Sequence, residues 1–234
     1  MPAARTTTAT ATDLRSDELV LAWLLLGTER IIAASGDLTE LDARIGDGDH
    51  GINLGRGMTV VRDRIGAGGH ASSAELLRLT GRVLISSVGG ASGPLYGTLF
   101  LESGNVLSAA DGPVGDLDLA DALLSGVAEV GRRGRSTVGQ KTMLDTLVPA
   151  AATLRDAVRA GSPMAVATAR AADAAASGCE GTRLMVAQRG RASYLGERAI
   201  GHLDPGAVSS RLLIEALATA AAQLVDSTPT AASR

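Results

Sequence analysis

The sequence predicts an all-α protein, and three observations carry that prediction. Aromatic residues make up 2% of the 234 residues while hydrophobic residues make up 45%. With alanine abundant, this composition suits close-packed helices and supplies few of the aromatic and β-branched pairs that stabilise sheets. Apolar residues recur at steps of three and four along most of the chain, and the glycine-rich stretches between those runs never alternate as a half-buried strand would.

Taken in order, Ser16 followed by Asp17 and Glu18 reads as an N-cap with acids in the first turn, opening a helix that Gly36 stops. Leu54, Met58, Val61 and Ile65 form the apolar stripe of a second helix. Ser72 and Glu75 make a capping box ahead of Leu76, Leu79 and Val83. A fourth helix is expected near Pro94, a favoured first-turn position, with Ser92 as its cap. Leu119, Leu123, Val127 and Val130 mark the fifth. The sixth runs from Lys141 to Ala160, kinked at Pro149. Helices from Pro163 to Gln188 and from Ala207 to Asp226 complete a set of eight. Short connections make neighbours antiparallel, and the plain structural reading is a helical bundle. Residues 1–15 and 227–234 lack periodicity and are expected to be disordered tails around one domain, 16–226.

Composition also narrows function. The net charge is −3 and no basic run is flanked by aromatics, so nucleic acid is not expected as a partner. The apolar run Leu19 to Leu26 is too short to span a bilayer and follows two acids, the wrong flank for a signal peptide. No membrane partner and no targeting segment are expected. Cys179 is the one cysteine, which excludes a disulfide framework and fits a reducing cytoplasm; small packing is its expected role. Lys141 is the one lysine among 22 basic residues. His70, between glycines, reads as an exposed loop residue.

Three loops concentrate polar chemistry. Leu41 to Asn53 holds Asp42, Asp47, Asp49, His50 and Asn53, loosened by three glycines, a composition that suits a hard divalent cation and an anion bridged to it. The bland reading is an acidic turn that caps the next helix. A calcium EF-hand does not fit, because counting from Asp47 puts Gly51 where an oxygen ligand belongs and Met58 where the bidentate glutamate belongs. Asp42 is expected at a helix end and the other two carboxylates on the loop, converging to hold one or two magnesium ions against a polyphosphate.

The second loop, Ser86 to Thr98, sets three glycines before a helix start, where backbone N–H groups and the helix dipole favour an anion. It lacks the P-loop pattern, and the alternative is a tight interhelical turn. The third, Gln188 to Ala207, gathers three arginines, His202 and the turn Asp204-Pro205-Gly206. Arginine forks match phosphate oxygens, and the alternative here is a solvated surface loop.

Four stretches together resemble the L subunit or L domain of dihydroxyacetone kinases: LTELDARIGDGDHGINLGRGM at 38–58, SSVGGASGPLYGT at 86–98, GQKTMLDTLVPA at 139–150 and GRASYLGERAIGHLDPGA at 190–207. His50 after the second aspartate of the acidic loop favours this family over the fatty-acid kinase nucleotide domains, which typically place threonine there. Gln140 stands where the family usually has aspartate.

The resemblance implies a barrel of eight antiparallel helices with the nucleotide at one end. It implies Asp42, Asp47 and Asp49 as ligands of magnesium, two ions being expected. His50, Gly51, Ile52, Asn53, Ala91 and Ser92 would surround the phosphates and ribose of ADP or ATP. Gly134, Met143, Arg191, Asp204, Pro205 and Gly206 would line the rest of the pocket, and Arg191 would also meet the charge that develops in transfer.

Dihydroxyacetone, by the same resemblance, sits on a separate K subunit, held covalently by a histidine there. The chain's end shortly after the L domain favours the stand-alone, phosphotransferase-system type, in which bound ADP is rephosphorylated by an M subunit from phosphoenolpyruvate. Other readings are the L subunit of an ATP-dependent kinase for another short ketose such as erythrulose, a non-catalytic nucleotide sensor that docks on a regulator, and a structural metal-binding bundle.

Overall fold

Nine α-helices form the architecture of the described residues: α1 (Ala11–Ala33), α2 (Ser35–Ile45), α3 (His50–Gly66), α4 (Ser73–Ser87), α5 (Ser92–Ser108), α6 (Asp116–Gly134), α7 (Leu144–Arg159), α8 (Met164–Gly181) and α9 (Pro205–Asp226). The computed structural model describes residues 11–69, 72–110 and 112–226, and the side chains of the helical residues from Ser16 onward. His70, residues 1–10 of the expected tail 1–15 and the expected tail 227–234 lie outside the described residues, whereas 11–15 are not a tail but the first turn of α1.

Eight of the nine helices close a ring. Going round it, α1 packs on α3, α3 on α4, and so on through α9, which packs back on α1. The apolar stripes found by periodicity point into this ring: Leu54, Met58, Val61 and Ile65 are buried, as are Leu119, Leu123, Val127 and Val130. Full burial of each such side chain contributes about 1.5–3 kcal/mol. Trp23 and Phe100, two of the few aromatics, meet across the ring at 5.7 Å between centroids, and Trp23 Nε1 donates to Leu213 O. The helix α9 is long and apolar enough to cross a membrane, but half of it is buried within the ring.

The ninth helix is α2, outside the ring and at one end of it, against α3 and α9. The expected stop at Gly36 is corrected here: α1 ends at Ala33 and the chain bends by 61° into α2, so Gly36 lies in the first turn of a new helix. The bend carries Leu38, Asp42 and Ile45 onto one buried face. Ser16 is likewise not an N-cap. It lies inside α1, and its hydroxyl donates to Val114 O, 98 residues away. The Ser72 hydroxyl does accept from Glu75 N.

The helix expected from Lys141 starts at Leu144, because Asp145 draws the N–H groups of Gly139 and Thr142 to its carboxylate at 2.5 and 2.7 Å and holds 139–142 as a loop. It then continues through Pro149 as one helix. The helix expected to reach Gln188 ends at Gly181 and passes into a 3-10 turn, Thr182–Leu184.

Alternate connections in such a ring fall at the same end. The α2–α3, α4–α5, α6–α7 and α8–α9 connections therefore share one end, and three of them are the loops singled out for their polar chemistry. The remaining one, third in chain order and between α6 and α7, carries Lys141.

Candidate functional site

The carboxylate cluster is built by the end of α2 and the turn after it. Asp42, in the last turn of α2, is buried and accepts from the backbone N–H groups of Asp49 (2.9 Å) and His50 (3.1 Å). It thus folds the 46–49 turn back on the helix it left. Asp47 and Asp49 ride on that turn, and ligand oxygens of Asp42, Asp47 and Asp49 lie within 4.8 Å of one another. Three negative charges so close repel unless a cation joins them, and an all-oxygen set is the donor set of a hard divalent ion. The residues present fit magnesium. Arg191 supplies the local counter-charge, its Nε 2.8 Å from Asp47 Oδ2.

His50 begins α3 and is a structural bridge. Its Nδ1 lies 2.9 Å from Ser92 Oγ and its Nε2 2.9 Å from Ser209 Oγ. Burial, only partly offset by Asp42, lowers its pKa to about 4, so the ring is neutral at neutral pH. Ser209 also meets the Tyr96 hydroxyl at 2.6 Å, and Tyr96 donates to Gly206 O at 3.0 Å. One buried network therefore joins the acidic loop, the glycine turn and the Asp204-Pro205-Gly206 turn. Ser92 is spent on this network instead of capping α5. The cap position belongs to Ala91, one residue earlier than expected. Gly90 before it adopts φ +67°, a backbone that an L side chain rarely takes.

A cavity of about 510 Å³ opens between the four connections. Asp42, Asp47, Asp49 and His50 line it from the acidic loop, Ala91 and Ser92 from the glycine turn, Gly134 and Met143 from the third connection, and Arg191, Asp204, Pro205 and Gly206 from the fourth. Three expected residues are not in its wall: Gly51 is buried in α3, Ile52 is 60% exposed, and the Asn53 side chain accepts from Arg56. Sequence reasoning missed Leu95, Tyr96, Val130, Arg133, Lys141 and Arg189, all of which line the cavity. Leu95 and Tyr96 stand inside the glycine-turn motif, and Lys141 carried a signal of its own as the single lysine. Val130 and Arg133 read as ordinary helix residues.

The cavity is polarised. Carboxylates gather at one side, Arg133, Arg189 and Arg191 stand along the rim, and Pro94, Leu95, Val130 and Met143 supply an apolar stretch. Such a wall suits a ligand with a metal-bridged anionic end and a flat apolar end. Asp204 is half-buried, caps α9 through Ala207 N at 2.7 Å, and is raised by desolvation to about 7. Cys179 is buried outside the cavity wall, and burial pushes its thiol up to about 11, as expected of a packing residue.

Comparison with known proteins decides the family. Residues 44–219 match the DAK2 domain. The chain belongs to the DAK2 domain family. Within that family it is 39% identical over 202 residues to the Escherichia coli K12 PEP-dependent dihydroxyacetone kinase, ADP-binding subunit DhaL, covering 86% of this chain and 96% of that one. It is 36% identical over 200 residues to the PTS-dependent dihydroxyacetone kinase, ADP-binding subunit DhaL, of Lactococcus lactis, covering 86% and 95%. Among solved structures, this DAK2 chain superposes on the dihydroxyacetone kinase of C. freundii in complex with AMP-PNP and Mg2+ with a TM-score of 0.67 at 25% identity. That match covers 94% of this chain and 37% of the larger kinase chain.

Proposed function

We propose that this chain is the nucleotide-binding subunit of a dihydroxyacetone kinase, holding Mg-ADP or Mg-ATP in the polarised cavity and passing the phosphoryl group to dihydroxyacetone on a separate K subunit. The observation that carries this reading is the convergence of Asp42, Asp47 and Asp49 on one point of a cavity rimmed by arginines. The names of the relatives, ADP-binding subunits of PEP- and PTS-dependent kinases, support it. They also support an M subunit as the partner that rephosphorylates bound ADP from phosphoenolpyruvate. The cytoplasm, where such a relay and its nucleotide are found, is the location we assign.

In this reading Asp42, Asp47 and Asp49 would hold magnesium, two ions in the full site, and the metal would supply charge neutralisation for the polyphosphate. His50, Ala91 and Ser92 shape the phosphate and ribose side, with the first turn of α3, Gly51 to Asn53, contributing through its backbone and helix dipole. Gly134, Met143 and the Asp204-Pro205-Gly206 turn enclose the base. Arg191, whose Nε lies 2.8 Å from Asp47, would offer the rest of its fork to phosphate oxygens. Phosphoryl transfer needs positioning and charge neutralisation more than covalent chemistry, and these groups supply both.

Titration calorimetry tests the reading. Mg-ADP binds the parent chain, EDTA abolishes binding, and Asp49→Ala weakens it about a hundredfold, a loss of about 2.7 kcal/mol, with helix content by circular dichroism unchanged. Affinity within about threefold of the parent for Asp49→Ala, a difference too small for a lost metal ligand, refutes the metal assignment.

A further inference from the structure

Lys141 is the one lysine of the chain and is 1% exposed, a buried ammonium that the proposed mechanism does not use. Its backbone adopts φ +60°, which residues with a Cβ rarely take, so the fold holds this side chain in place against a local preference. Its Nζ donates to Thr182 O at 2.6 Å and to His202 O at 2.5 Å.

Those two carbonyls bracket the α8–α9 connection. Thr182 follows the last residue of α8, and His202 lies two residues before Asp204, whose carboxylate caps α9. The ends of the connection also meet each other directly, through Gly201 N to Arg183 O at 2.7 Å and Asp204 N to Thr182 Oγ1 at 3.1 Å. They form a neck that the ammonium braces, and between its ends Arg189, Gly190, Arg191 and Ala192 reach the cavity.

Lysine suits the position physically. Three donors on one atom can reach two carbonyls on separate segments and still attract a third group, and a cation belongs where the C-terminal dipole of α8 ends. The third attraction is to Asp204: Lys141 lowers the pKa that burial raises there.

We infer that Lys141 is a positioning residue which clamps the neck of the 182–204 connection, so that Arg191 and Asp204 are presented to the nucleotide together. The part of this inference that concerns the nucleotide rests on the function proposed above, whereas the clamp itself can be read without any ligand.

The test uses the full chain with Lys141→Met, which keeps the length and removes charge and donors, and Lys141→Arg, which restores both. Hydrogen–deuterium exchange without nucleotide is expected to rise about tenfold in peptides from 183–203 of Lys141→Met, with α4, α5 and α6 unchanged. The Kd for Mg-ADP is expected to rise about tenfold or more, in line with loss of charged hydrogen bonds, and Lys141→Arg recovers part of both effects. Thr182→Val removes the hydroxyl that accepts from Asp204 N while keeping its shape, and should give a milder form of the same local pattern if Lys141→Met does not fold.

Exchange that rises evenly through all helices, or a Kd within about twofold of the parent despite the loss of those bonds, overturns the inference. A parent chain that binds no nucleotide overturns the proposed function and leaves the exchange measurement to decide the clamp.

Discussion

Arg191 reaches from the fourth connection to Asp47, with 69% of its side chain in solvent, so its position is set by a charge that magnesium would compete for. A planar fork can follow phosphate oxygens as charge spreads over them, and a point ammonium cannot do this as well. Arg191→Lys should therefore lower kcat in the reconstituted kinase about tenfold or more while the Kd for Mg-ADP changes less than about threefold. Equal losses in both would make Arg191 a ground-state anchor only. At this scale the sequence displays the charged candidates and hides their partners. Asp42, Asp47, Asp49 and Arg191 stand out by type, but nothing near His50 points to Ser209, 159 residues on. Gln140 is similar: in the structure its Oε1 accepts from Thr137 N and from Arg189 Nε, a role for which a carboxylate would also serve.

Among the elements, α4 and α5 approach closely because each offers a glycine to the other. A Cβ on Gly81 would lie 2.6 Å from Leu101 N and 2.7 Å from Gly97 O, both backbone atoms with nowhere to move. Gly81→Ala should thus push the two helices apart and destabilise the chain by about 1–3 kcal/mol, which lowers Tm by roughly 2–4 °C per kcal/mol for a chain of this size. A melting temperature equal to the parent's would show that this contact can relax. Helix α2 illustrates the opposite case, an element that periodicity passed over. Its buried stripe is Leu38, Asp42 and Ile45, and the carboxylate in the middle breaks the apolar signal at the residue proposed as a metal ligand. Ile45 in turn packs with Ala187, Ala192 and Ala199 of the fourth connection, which ties that connection to the acidic loop.

For the whole molecule, the ring gathers its four site connections at one end and leaves a cavity whose wall is carboxylate, arginine and apolar side chain. Among the described residues these groups line one cavity, the one proposed to take the nucleotide. The purified chain with magnesium, ATP and dihydroxyacetone should therefore form no dihydroxyacetone phosphate, yet Mg-ADP should stabilise it by about 2.7 kcal/mol at a hundredfold excess over Kd. Addition of a matching K subunit, with the M subunit and phosphoenolpyruvate, should restore turnover in a coupled assay. Ketose phosphorylation by this chain alone would overturn the division of the site between subunits.

The sequence by itself determined the all-α class, the order of the eight ring helices and the polar loops that come to line the cavity, because apolar spacing and glycine turns are local properties. Helix ends were less legible: the start at Ser16 and the cap at Ser92 failed because those side chains bond across the molecule instead of to their own helix, and the start at Lys141 because the Asp145 carboxylate holds 139–142 as a loop. Only the tertiary structure decided that Asp42 faces inward, that Arg191 lies on Asp47, that His50 joins three elements, and that Lys141 braces both ends of a long connection. Each of these contacts depends on ring closure, which brings together groups far apart in the chain, and no spacing within a single helix or loop encodes where a ring closes.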